Sequence, residues 1–172
     1  MDKGTTMTGP VIFLDVDGVI CTALSYRLTK LLRIGWLQQI FDPVSLFWLR
    51  RLTAKFGARI ILTSTWRDAL TMEDDWGKAL IGNLYRRMEQ NGTPIADATP
   101  VIYSGDRSTE IQAWLEENPC DSYVIFDDHD RFREFPHVRR GLIMIEHSEG
   151  IRYPHYRAAV RMLSQNNNGF RS

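Results

Sequence analysis

The chain has 172 residues, enough for one domain with a sizeable core, and its 44% hydrophobic and 24% charged content is ordinary for a globular protein. Lys and Arg balance Asp and Glu at 21 each, so the formal net charge of zero excludes the strong global basicity of many nucleic-acid binders. The two cysteines (Cys21, Cys120) form no C-x-x-C, and His129, His137, His147 and His155 show no close metal-ligand spacing, which excludes a zinc knuckle or a disulfide framework.

Residues 1–10 are polar, lack the apolar stretch of a signal peptide and are expected to be a flexible terminus. The first apolar run, Val11–Leu14, reads as a buried strand that ends abruptly in Asp15-Val16-Asp17-Gly18. The segment Cys21–Gln39 is apolar and basic and is expected to form a small helical flap. Within Leu28–Trp48, Lys30, Arg33, Asp42 and Pro43 interrupt the apolar residues, which argues against a membrane span. A helix begins at Asp42-Pro43, with Asp42 as N-cap, carries Val44, Phe47, Trp48, Leu52 and Phe56 on one face, and stops at Gly57. A strand follows at Arg59–Leu62, then a helix over about Met72–Gln90, stopped by Asn91-Gly92. Pro100–Tyr103 reads as a third strand, Arg107–Glu117 as a helix, Tyr123–Phe126 and Leu142–Ile145 as the last strands. A final helix follows Pro154 and runs to about Leu163, and residues 165–172 are expected to be a disordered tail. Strands alternating with helices predict an α/β fold with a parallel sheet covered on both faces, in one domain over residues 11–164. A soluble, cytoplasmic location is expected.

In a parallel sheet the carboxyl ends of the strands share one edge, where ligands bind. Strand one ends in Asp15 and Asp17, strand two in Thr63-Ser64-Thr65-Trp66-Arg67, strand four in Asp127-Asp128, and strand five in Glu146-His147; Arg107 opens a helix just ahead of strand four. Two carboxylates as close as Asp15 and Asp17 repel unless a cation sits between them, and Mg²⁺ is the natural candidate. Carboxylates, hydroxyls and a guanidinium around one point are what phosphoryl transfer needs.

These residues resemble the four motifs of the haloacid dehalogenase (HAD) superfamily of phosphatases: Asp15-Val16-Asp17-Gly18-Val19, then Ile60-Ile61-Leu62-Thr63, then the cation Arg107, then Asp127-Asp128. The resemblance spans about Val11 to Leu163. ILTSTWR, DRSTEIQAWLEE and YVIFDDHDRF are further similar to the HAD domain of Swiss Army Knife RNA-repair proteins. The resemblance implies a Rossmann-like three-layer sandwich with a five-stranded parallel sheet. It implies Asp15 as the nucleophile that becomes an aspartyl-phosphate, and Asp17 as general acid and base. Thr63 and Arg107 would hold the phosphoryl group, and Asp15, Asp17, Asp127 and Asp128 would bind Mg²⁺. Ser64 and Arg67 would contact the substrate.

Arg107 stands where the family usually has lysine; it keeps the charge but is larger and planar, which leaves room for Lys78 or another cation to take the role. The spacings of 48 and 44 residues between the first three motifs leave little room for a large cap domain, and an open site accepts a polynucleotide end. The expected function is Mg²⁺-dependent phosphomonoester hydrolysis on such an end or on a nucleotide, with RNA or DNA ends as partners and no membrane. The alternatives are a phosphatase for a small metabolite or phosphoprotein, and a degenerate phosphate-binding module.

Plainer readings stand beside these. Asp-x-Asp-Gly forms ordinary turns, Thr63-Ser64-Thr65 can cap a helix, and Arg67 can pair with an acid. The run Asp130–Arg140, with Arg131, Arg133, Arg139 and Arg140, is either a basic rim for polyanions or a solvated loop. Trp36 and Trp66 are better assigned to packing than to base stacking, and His129 to a loop.

Overall fold

The computed structural model describes residues 9–166; nearly all of the expected flexible N-terminus and residues 167–172 of the expected tail lie outside them, while 165 and 166 belong to the last helix. Five strands, β1 (Val11–Leu14), β2 (Arg59–Leu62), β3 (Ile95–Ala98), β4 (Tyr123–Asp127) and β5 (Leu142–Met144), pair in parallel in the order β3-β2-β1-β4-β5. Five helices accompany them: α1 (Ala23–Leu31), α2 (Pro43–Phe56), α3 (Asp75–Gln90), α4 (Arg107–Glu117) and α5 (Tyr153–Asn166). This is the expected three-layer α/β sandwich.

The central strands carry continuous apolar runs, with Arg59 and Asp127 only at strand ends, because both faces are covered. Ile12, Leu14, Ile60, Leu62, Val124 and Phe126 point to one face, against Leu49 and Leu52 of α2, Leu84 and Met88 of α3, and Leu163 of α5. Val11, Phe13, Ile61 and Ile125 point to the other, against Ile111 and Trp114 of α4. Phe13 meets Trp114 and Tyr123 edge-on at 5.4 and 5.8 Å between ring centres.

Helix limits follow caps. Asp42 accepts from the N–H groups of Val44 and Ser45, Pro43 needs no donor partner at the first turn, and Gly57 closes α2 in the left-handed region at φ +62°. The buried residues of α2 are Ser45, Leu49 and Leu52, whereas Val44 and Phe47 of the expected face are exposed. The Ser45 hydroxyl is buried because it accepts from the backbone of Ile151, ahead of α5. The helix expected from about Met72 starts at Asp75, where Asp74 caps it through Gly77 N–H. The last helix reaches Asn166, beyond the expected Leu163, and β5 stops one residue short, at Met144.

The third strand is a correction. It is Ile95–Ala98, not Pro100–Tyr103. As an edge strand it buries Ile95 and leaves Ala96 and Asp97 exposed, so it lacks the continuous apolar run of the central strands. Pro100 has no N–H to offer a ladder, and Tyr103 is 92% exposed.

Cys21–Gln39 is helical as expected, with α1 followed by a short 3-10 turn at Trp36–Gln38. Thr22 caps α1 and donates to Asp42, and Asn83 of α3 donates to the Gln39 carbonyl, so the segment is pinned to the body at both ends. No inserted cap domain occurs among the described residues. No helix among them is long and apolar enough to cross a membrane.

Candidate active site

From β1 the chain builds outward through β2 to β3, then returns past β1 to β4 and β5. The order therefore reverses beside β1, and a crevice opens there at the carboxyl edge. Ladder bonds continue past the strand ends: Asp15 N–H donates to Phe126 O at 3.0 Å and Thr63 N–H to Leu14 O at 2.9 Å. They set Asp15, Thr63 and Asp127 side by side on adjacent strands.

After Asp15 the backbone winds tightly. The Val16 carbonyl accepts from the N–H groups of Val19, Ile20 and Cys21, at 2.8–3.2 Å. Gly18 sits at φ +75°, and a Cβ there would run into the Asp128 carboxylate and lie 2.7 Å from the His147 ring. Glycine thus lets the loop after β4 close over the loop after β1. Asp17 lies on the exposed side of this turn, and the Trp66 indole N–H donates to its Oδ2 at 3.0 Å.

Arg107 begins α4 yet is buried, its guanidinium reaching Asp15 Oδ1 at 3.6 Å and Asp127 Oδ2 at 3.5 Å. Its backbone is fixed by the preceding Asp106, which caps α4 through Ser108 and Thr109 and also accepts from the N–H groups of Arg133 and Glu134 in the loop after β4. Burial, with the Asp127 carboxylate next to it, pushes the Asp15 carboxyl up to about 7 against the opposing pull of Arg107. Burial likewise raises Asp127, again opposed by Arg107. Two buried donors, Thr63 Oγ1 and Arg107 Nη1, have no hydrogen-bond partner among the described residues. Unpaired buried donors are costly, and both adjoin the Asp15 carboxyl edge.

Asp127 Oδ1 accepts from the His129 backbone at 2.8 Å. The buried Asp128 side chain pairs with His129 through one oxygen, at 2.5 Å, and with His147 through the other. The bond to Asp128 pushes the His147 imidazole up. The sequence places His147 at this edge and His129 in a loop, but not their joint contact with Asp128, because the two lie 18 positions apart on loops after different strands.

Of the residues expected at the site, Asp15, Asp17, Thr63, Arg107, Asp127 and Asp128 gather at this edge. Ser64 and Arg67 do not face outward as substrate ligands would. The Ser64 hydroxyl caps the 3-10 turn Thr65–Leu70 by accepting from Trp66 N–H. Arg67 is 4% exposed and bonds to the Thr63 and Ser64 carbonyls and to Glu110. It braces the loop after β2 against α4. Lys78 lies exposed on α3, in a cleft with Gln38 and Asn83, and among the described residues the ion pair with Asp15 is made by Arg107. Trp66, expected in packing, is buried edge-on to Phe41 and also holds Asp17.

Ligand atoms of Asp127, Asp128 and His129 lie within 4.8 Å of one another, a spacing suited to a metal ion. The wider donor set is carboxylate oxygen, and Asp15 and Asp127 both lie against the Arg107 guanidinium. An oxygen-rich cluster with surplus negative charge fits a hard dication such as Mg²⁺.

A family model described as the HAD domain in Swiss Army Knife RNA repair proteins matches residues 11–156. No curated protein matches the chain.

Proposed function

Because the chain belongs to the family of HAD domains in Swiss Army Knife RNA repair proteins, whose chemistry is of phosphatase type, we propose that residues 11–164 form a Mg²⁺-dependent phosphomonoester hydrolase that works on a polynucleotide end or nucleotide phosphate. The observation that carries this reading is Asp15 at the strand edge with two unpartnered buried donors, Thr63 Oγ1 and Arg107 Nη1, beside it. Donors already in place and free of other partners suit the oxygens of a phosphoryl group.

In this reading an Asp15 carboxylate oxygen attacks phosphorus and the bond to the leaving oxygen breaks. Asp17 passes its proton to that oxygen. The resulting Asp17 carboxylate then takes a proton from a water that attacks the phosphorus, which frees Asp15 and inorganic phosphate. Thr63 and Arg107 hold the non-bridging oxygens throughout. Asp15, the Asp17 backbone carbonyl and the Asp127–Asp128 pair would hold Mg²⁺, which would neutralise charge on the phosphoryl group. The lack of an inserted cap among the described residues supports a bulky substrate such as a strand end.

The test is phosphate release from a 3′-phosphorylated oligonucleotide, with and without Mg²⁺, by the native protein and by Asp15→Asn. Release that requires both Mg²⁺ and Asp15 is expected. Release that survives Asp15→Asn overturns the covalent mechanism; folded native protein that releases nothing overturns the polynucleotide substrate.

A further inference from the structure

Two cavities border Asp17. One, of about 390 Å³, lies among the loop after β1, α1 and His147, with Tyr26 as its aromatic wall. The other, of about 250 Å³, is walled by Asp17, Trp66, Asp68, Met72, Trp76 and Leu80. If Asp17 protonates the leaving oxygen, the group attached to that oxygen must lie along a wall that contains Asp17. Both cavities meet this condition.

Their chemistry differs. The second offers two indoles, and one of them, Trp66, is bonded to Asp17 itself. The other, Trp76, is 50% exposed on the first turn of α3, and Met72 beside it is 41% exposed. The wall is firmly built. A Cβ on Gly77 would stand 2.6 Å from that of Met72, so only glycine lets Met72 seat against α3, and Asp74 caps the helix at that same residue. Asp68 adds a carboxylate oxygen, Oδ1, that is buried with no hydrogen-bond partner among the described residues. A flat apolar shelf with one unsatisfied acceptor suits a heterocycle that carries an N–H donor.

We propose that this second cavity is a nucleobase subsite: the base of the terminal nucleotide stacks on Trp76 while its phosphate lies at Asp15. This rests on the reading of Asp15 as nucleophile and Asp17 as proton donor. Stacking on an aromatic side chain serves any base, and Asp68 favours a base edge that presents a donor. A sugar phosphate or phosphoserine has no aromatic ring to stack on the shelf.

The experiment compares two 3′-phosphorylated oligonucleotides that are identical except that one lacks its terminal base. KM is measured with the native protein, and Kd by fluorescence anisotropy with Asp15→Asn. The intact strand should have KM and Kd about 10-fold lower, as expected for one stacked base. Trp76→Ala should raise both values for the intact strand to those of the baseless strand, and Trp76→Phe should restore most of the preference. Equal values for the two strands in the native background, or an equal loss on both in Trp76→Ala, overturn the subsite. If neither strand is hydrolysed, the hydrolase reading fails, while the binding comparison still decides the subsite by itself.

Discussion

Trp66 joins the hydrophobic core to the chemistry. Its ring packs on Phe41, and its N–H holds the carboxylate that is proposed to move the proton. Trp66→Phe keeps an aromatic ring against Phe41 and deletes the donor. A hydrogen bond to a charged group is worth about 1.5–3 kcal/mol, so kcat should fall roughly 10- to 100-fold while thermal stability changes little. Steady-state kinetics and a melting curve separate the two effects. Arg107 poses the converse question, since lysine is the residue the HAD resemblance leads one to expect there. Its Nη2 faces Asp15 and its Nε faces Asp127, two contacts that need a fork. A lysine ammonium is a point charge that replaces two separately placed nitrogens, so Arg107→Lys should weaken at least one of the two contacts and lower kcat about 10-fold. Activity that rises in Arg107→Lys would instead mark the native chain as a degenerate module.

The start of α4 is the element on which the site depends most. Asp106 caps the helix and also ties down Arg133 and Glu134, so one carboxylate aligns Arg107 with the loop that carries Asp127 and Asp128. Asp106→Ala should cost about 1–2 kcal/mol and reduce turnover by displacing Arg107. The pH dependence has a definite sign. Burial would raise the Asp106 carboxyl, but hydrogen bonds from Ser108, Arg133 and Glu134 outweigh it and hold the group below its ordinary value. A carboxyl lowered in the folded state stabilises above its unfolded value, near pH 4, and loses that contribution as pH falls through the lowered value. The stability gap between native protein and Asp106→Ala should therefore be full at neutral pH and close in acid, as chemical denaturation at several pH values would record. Elements of this kind were readable in advance to different degrees. Asp42-Pro43 and Gly57 mark the ends of α2 by local backbone chemistry, whereas β3 was misplaced because an edge strand needs only one covered face and shows little apolar periodicity.

At the scale of the whole molecule, Asp42 connects what the chain keeps apart. Fully buried, it caps α2, accepts from Thr22 ahead of α1, and pairs at 2.9 Å with Arg152 ahead of α5. Asp42→Ala strands these donors and should destabilise the fold by about 3 kcal/mol, visible as a lowered Tm. The linear sequence by itself determined the α/β class, four of the five strands, and the acids, hydroxyl and guanidinium that collect at the sheet edge. Those features are local: an apolar run makes a buried strand, a cap ends a helix, and parallel pairing delivers every strand end to one side. Only the tertiary structure decided the partners. Trp66 meets Asp17 across 49 positions, His147 meets Asp128 across 19, and Arg67 turns inward to Glu110 across 43. Such pairings depend on how loops from different strands cross above the sheet, and loop crossings leave no periodic trace in a sequence.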